Sequence, residues 1–579
     1  MKDSLHSKVA DLVGRIYPGE DVAALTDAVV DAFWPDGTTP RKRPRRPGNG
    51  LWSQRDALLI TYGNSLQDGA HKPLDLLYHF LSERMTGVVN GVHILPFFPF
   101  TSDDGFAVTD FRKVDPALGD WPDIERIGQS MHLMSDLVLN HVSSQGTWFN
   151  AYRQRQKPYD RFFFEASPDD DLSSVVRPRT TPLLQEVETS DGPRHVWCTF
   201  SHDQIDLDFS NPEVLLEILR IVRLHVDKGV RVIRLDAVAF LWKIIGTPSI
   251  HLPQTHAVIQ LMRVLADFAT ETVILLTETN VPKAENLSYF GQSNEAHAIY
   301  NFPLPPLILH AMLSGSARHL RTWQAAMPPA PLGCAYLNFT ASHDGIGMRP
   351  VEGILPEDEI AQMIDTLSAE GALVSMRALK DGGQSVYEVN TGYFPAMART
   401  HNGPDGYQIA RFLASQTIVM SLEGIPAFYI HSMLATPNDH EAVERRGMNR
   451  AINRHRWDYP TLQARLADPG SDQARVLFAL SERLRIRARQ PGFHPNATQF
   501  TLPLDERVFG LWRQSMDRSQ SIFALHNVSP DTIEVPLAAL NLIDDERWVD
   551  LLSGERLEAG QTEIVLAPYQ CRWITNRPG

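Results

Sequence analysis

The sequence is short of cysteine, of long apolar runs and of positive charge, and each shortage closes off a class of function. Its three cysteines, Cys198, Cys334 and Cys571, are odd in number and far apart. They suit neither a disulfide framework nor a zinc site, and they point to a reducing compartment. No apolar run reaches roughly 18 residues, and no signal-peptide core opens the chain, so a cytoplasmic protein without a membrane partner is expected. A formal charge of -15 leaves no surplus of lysine and arginine for phosphate backbones, which excludes a general nucleic-acid binder. The basic run "RKRPRR" at 41–46 lies in a Pro/Gly-rich stretch and reads as a solvated linker. Residues 1–50 are accordingly taken as a helical extension ending in that linker.

What is present is an alternation of strand-like and helix-like segments. The strand candidates are "ALLITY" (57–62), "GVHILPFF" (91–98), "LMSDLVLNH" (133–141) and "VRVIRLDAV" (230–238). They continue with "VILLTETN" (273–280), "IYNFPL" (299–304), "AYLNFT" (335–340) and "IPAFYI" (425–430). Before the fourth stands "NPEVLLEILRIVRLHVDKG", with Asn211 as N-cap, Pro212 in the first turn, one apolar face and Gly229 as the stop. Eight such strands predict an α/β chain folded as a (β/α)8 TIM barrel, here over 51–496, with chemistry at the C-terminal ends of the strands. Two connections are too long for simple barrel loops. Residues 142–206 predict an inserted domain, and 345–400 a loop or subdomain after the seventh strand. From 497 to 579 short alternating segments without helices predict a closing antiparallel β-domain.

Charged residues stand where such a barrel needs its chemistry. Arg234 and Asp236 interrupt an apolar, β-branched run, where burial makes a charge costly unless it is paired or used. Asn140 and His141 end the third strand, Glu278 the fifth, and His343 with Asp344 follow the seventh. Paired carboxylates over one pocket suit glycosidic-bond chemistry, with one as nucleophile and the other as proton donor. At a separation of roughly 5–5.5 Å the outcome is retention through a glycosyl-enzyme intermediate. Arg234 is expected to keep Asp236 ionised, and Glu278, beside Leu276 and threonines, to be raised toward acid duty.

"DLVLNH", "IRLDAV", "LLTETN" and "TASHD" resemble, in order and spacing, the four signature regions of glycoside hydrolase family 13, the α-amylase family. The resemblance implies Asp236 as nucleophile, Glu278 as acid/base and Asp344 as transition-state stabiliser, with His141, His343 and Arg234 holding the sugar. "LPFFPFTSDDGFAVTDFRKVDPALGDW", "VWCTFSHDQIDLD", "HDGIG" and "AINRHRW" resemble the sucrose-phosphorylase branch. By that likeness Asp103 and Arg454 bind the glucosyl unit, Phe106 gives it an apolar platform, and Arg179 and Tyr387 lie by the phosphate. Retained phosphorolysis also needs fixed cations, for which Arg177 is available as well.

The loop "ALKDGGQSVYEVNTGYF" carries Glu388 where sucrose phosphorylases have Gln, while Phe240 and Asn280 replace their usual Tyr and His. Together with "TETNVPKAENLSYFG", these features resemble the glucosylglycerate phosphorylases of the branch. They imply reversible phosphorolysis of 2-O-α-D-glucosyl-D-glycerate to α-D-glucose 1-phosphate and D-glycerate. Sucrose, sucrose 6'-phosphate and glucosylglycerol phosphorylases, or a retaining α-glucosidase or transglucosidase, are the alternatives. Arg377 and Lys380 are candidates for the glycerate carboxylate. No metal or cofactor is expected. The partners are an α-glucoside, inorganic phosphate and glucose 1-phosphate, and a homo-oligomer is compatible with the sequence.

Overall fold

The computed structural model describes residues 4–35, 40–45, 50–179, 181–378, 383–540, 542, 547–558 and 560–578. Eight parallel strands close on themselves: β1 (Leu58–Thr61), β2 (Gly91–Ile94), β3 (His132–Val138), β4 (Val230–Asp236), β5 (Ile274–Thr277), β6 (Ala298–Tyr300), β7 (Ala335–Asn338) and β8 (Ile425–Tyr429). Each pairs with its chain-order neighbours, and β8 returns to β1. Every strand candidate of the barrel has a counterpart, but most are shorter than the apolar run that marks them. Ile233 and Leu235 on one face of β4 are fully buried, and Val232 and Arg234 on the other are buried too, because one face looks into the barrel and the other onto helices.

Helices α1 (Leu5–Ile16) and α2 (Val22–Phe33) precede the barrel and lie against two of its outer helices, α4 (Pro253–Phe268) and α3 (Pro212–Asp227) respectively. Val9, Val13 and Val29 are removed from solvent there. In the described part of the basic run the backbone is docked while the Arg41, Lys42 and Arg43 side chains stay exposed: the Arg41 and Arg45 N–H groups donate to Phe268 O at 2.8 Å and Asp267 O at 2.7 Å. They thereby satisfy carbonyls left orphaned at the C-terminus of α4, the end of the helix dipole that favours cations. In α3, Asn211 accepts the Glu213 N–H at 3.2 Å, Pro212 fills the first turn, and Gly229 turns the chain at φ +86°.

The insertion after β3 holds helix Thr147–Arg153 and a hairpin of Leu184–Thr189 with Gly192–Trp197. It returns through Gln204–Asp206, which pairs antiparallel with His141–Ser143. Here lies a further difference: β3 stops at Val138, and His141 belongs to this separate short strand. A buried polar knot fastens the insertion. Asp206 accepts from the Thr199 N–H at 2.8 Å and from Asn140 at 3.0 Å, and pairs with Lys243 at 2.9 Å. After β7 a helix, Glu357–Ser368, accompanies a three-stranded antiparallel sheet of Ile346–Gly347, Gln384–Asn390 and Leu373–Ala378. The chain closes with a five-stranded antiparallel sheet, whose buried Arg513 donates to Ser421 O at 2.9 Å in a barrel helix. No helix among the described residues is long and apolar enough to cross a membrane.

Candidate active site

One cavity of about 140 Å³ opens at the C-terminal ends of the strands, roughly ten times the space one water needs and so of sugar-ring size. Asp236, Glu278 and Asp344 all line it. Asp236 is the last residue of β4, in register with Val138 of β3. Glu278 follows β5 directly, its N–H donating to Leu235 O at 3.1 Å, and its Oε2 accepts the Ala237 N–H at 3.2 Å. The two carboxyls are thus neighbours over one space. Ala237 takes a left-handed φ of +51°, which ends β4 and turns its amide toward Glu278.

Arg234 is buried and shared: its Nη1 donates to Asp236 Oδ1 at 2.6 Å and also to Asp136, which in turn is 2.6 Å from His93 Nε2. Arg234 favours the ionised form of Asp236, but it is not the largest influence there. Burial raises Asp236 to about 8 against the pull of Arg234, with the charges of Glu278, Asp136 and Asp344 adding to the rise. Burial raises Glu278 as well. Two neighbouring carboxyls in this setting hold one proton between them near neutrality. Asp344 behaves oppositely. Burial opposes its charge, yet Arg450, His343 and Arg454 hold it well below the usual carboxylate range.

Arg450, which the sequence reading passed over, organises this side of the cavity. Its fork takes Glu388 in two bonds, 2.8 and 2.9 Å, and its Nη1 is 2.6 Å from Asp344 Oδ1. Glu388 is therefore compensated and can face an acceptor without carrying a bare charge. Asn453, also unforeseen, donates to Ser342 O and Asp344 O at 3.1 and 2.9 Å and fixes the loop bearing Asp344.

The sugar-side candidates fall around the same carboxylates. His343 stacks on Phe106 with centroids 4.8 Å apart, and burial lowers its pKa to about 3, so its ring is neutral. His141 donates from Nε2 to Phe106 O at 3.0 Å, and burial lowers it too. Asp103 lines the cavity at φ +51°, beside Asp104 at +49°, in a turn whose Gly105 has no room for a side chain: a Cβ would sit 2.7 Å from Pro96 O. Arg454 is 3.8 Å from Asp103 and 4.0 Å from Asp344, and it hydrogen-bonds to Asp104 at 2.6 Å and His343 O at 2.8 Å.

On the acceptor side, Arg179 lies 5.3 Å over the Tyr387 ring, and both line the cavity. Arg377 lines it too but is already engaged by Glu352 at 2.5 Å and Ser385 at 2.8 Å. Lys380 lies outside the described residues. Arg177, Arg179 and Arg349 line the cavity without an ion pair to any carboxylate among the described residues. The mouth thus carries uncompensated positive charge on a protein of net charge -15.

The profile of the α-amylase catalytic domain matches residues 86–330. The chain is 43% identical over 534 residues to a glucosylglycerate phosphorylase of Allomeiothermus silvanus, covering 92% of this chain and 93% of that one. It is 42% identical over 580 residues to a glucosylglycerate phosphorylase of Spirochaeta thermophila, covering 98% of each. Among solved structures, the sucrose 6F-phosphate phosphorylase from Thermoanaerobacter thermosaccharolyticum superposes with a TM-score of 0.71 at 24% identity, over 82% of this chain and 94% of that one, a likeness of fold. The chain belongs to the α-amylase family, glycoside hydrolase family 13, in the sucrose-phosphorylase-like branch that includes the glucosylglycerate phosphorylases.

Proposed function

We propose that the protein is a retaining phosphorylase that converts 2-O-α-D-glucosyl-D-glycerate and phosphate, reversibly, into α-D-glucose 1-phosphate and D-glycerate. In the reactive form of the carboxyl pair the charge sits on Asp236, against Arg234, and the proton on Glu278, whose polar partner is a neutral amide. Asp236 attacks C1 while Glu278 passes its proton to the glycosidic oxygen. The C1–oxygen bond breaks, D-glycerate leaves, and a glucosyl ester of Asp236 remains. Asp344, kept ionised by its arginines, faces the positive charge that develops on the ring. A phosphate oxygen then attacks C1, its proton moves to the Glu278 carboxylate, and the ester bond breaks to free Asp236. Two inversions give net retention.

The observation that carries this reading is the meeting, in one cavity, of three carboxylates with arginines that no carboxylate among the described residues neutralises. Both co-substrates are anions, and a forked guanidinium suits carboxylate and phosphate alike. The high identity to glucosylglycerate phosphorylases supports the same substrate. The buried, unpaired cysteines support a reducing, cytoplasmic setting. Incubation with glucosylglycerate and phosphate, followed by phosphorus NMR, should show α-glucose 1-phosphate. Glucose release that is equally fast without phosphate would point to a hydrolase. Faster phosphorolysis of sucrose or glucosylglycerol would reassign the acceptor.

A further inference from the structure

In a double displacement the leaving group departs from, and the second nucleophile arrives at, the same face of C1. Retention requires it. Whatever binds the acceptor must therefore serve two molecules in turn, and in the reading above both are oxyanions. The cavity's arginines are unequally available for that duty. Arg234 is divided between Asp136 and Asp236, Arg450 between Glu388 and Asp344, and Arg377 is held by Glu352 and Ser385. Arg179 rests on the ring of Tyr387.

Arg177 is different. Its Nε and Nη2 are both buried and have no hydrogen-bond partner among the described residues. Those two nitrogens share one edge of the guanidinium and present parallel N–H donors, the geometry that grips a carboxylate or phosphate through two oxygens. Two buried, unpartnered donors of a charged group are costly to keep unless a ligand meets them. The segment that carries them is anchored. Val175 packs with Trp197 in a small apolar cluster, the Val176 N–H donates to Pro248 O at 3.0 Å, and Pro178 restricts the backbone on the other side. The arginine is thus clamped between the insertion and the loop after β4, facing the cavity that holds Asp236 and Glu278.

We infer that Arg177 is an oxyanion anchor used twice per cycle, first by the carboxylate of the departing glycerate and then by the incoming phosphate. The inference rests on the phosphorylase reading and deepens it. It assigns the acceptor carboxylate to Arg177 in place of Arg377 and Lys380. It also gives one residue control over both half-reactions. Burial without a neighbouring charge lowers the guanidinium's pKa, consistent with a cation waiting for an anion.

The test uses the full-length enzyme with R177Q and R177K, each checked for folding by its melting temperature. The initial rate of phosphorolysis is measured against phosphate concentration. Synthesis from glucose 1-phosphate is then compared with D-glycerate and with glycerol, which lacks the carboxylate, as acceptors. In R177Q the KM for phosphate should rise roughly tenfold or more, and the preference for glycerate over glycerol should fall by a similar factor. R177K should regain part of both, because it restores the charge without the fork. A change in one anion alone would overturn the shared anchor, and wild-type values for both would remove Arg177 from anion binding. A wild-type enzyme that forms no glucose 1-phosphate from any glucoside would instead sink the underlying reading, whatever the variants do.

Discussion

Asp236→Asn should make the protein more stable as well as inactive, and the gain should grow with pH. The substitution keeps the side chain's shape and removes one of two neighbouring buried carboxyls, while Arg234 keeps Asp136 as its partner. Burial lifts the carboxyl from its ordinary 3.8 to about 8, so the folded state holds this proton more tightly than the unfolded chain does. Stability is therefore undiminished below pH 3.8, declines as pH rises through the window up to 8, and is lowest above it. At 1.36 kcal/mol for each pH unit of that window the cost approaches about 6 kcal/mol, of which about 3 develops between pH 5.5 and pH 8. Calorimetric melting of wild type and D236N across that range measures it. The variant's advantage in melting temperature should widen steadily toward pH 8. A gap that stays constant or narrows would show that Asp236 is not held protonated by its surroundings, and would remove the shared-proton account of the pair.

Glu278→Gln should lose turnover of glucosylglycerate by orders of magnitude yet still form the glucosyl enzyme from α-D-glucosyl fluoride, because fluoride leaves with little protonation. Equal losses on both substrates, in steady-state rates, would argue against Glu278 as proton donor. Arg450→Met should destabilise the fold by about 3 kcal/mol, since it strands Glu388 and Asp344 with no guanidinium between them. Adding Glu388→Gln should recover part of that loss in thermal unfolding, and no recovery would show that the pair is not coupled.

The barrel was legible because its strands are buried on both faces and therefore appear as continuous apolar runs between amphipathic helices. Asp236 stood out for the same reason, since a charge inside such a run is expensive and chains keep it only for use, while Glu278 and Asp344 stood out by following such runs. Asp236 is the last residue of β4 and Glu278 follows β5 directly, so their positions along the chain already fixed their place at the mouth of the barrel. Tertiary structure alone decided the electrostatics and the partnerships. Arg234 shows its pairing with Asp236 in the sequence, but its second partner Asp136 lies on another strand, and the proton count of the site depends on both. Arg450 stands one residue before the recognisable "AINRHRW", with nothing local to separate it from a surface arginine. Its bond to Glu388 spans 62 residues. Arg177 and Arg179, two apart in one tripeptide, became unlike only when Tyr387 came to lie beneath one and no acceptor among the described residues met the Nε and Nη2 of the other. Periodicity records which faces are buried. Where a guanidinium's donors end is set by segments that meet only after the chain has folded.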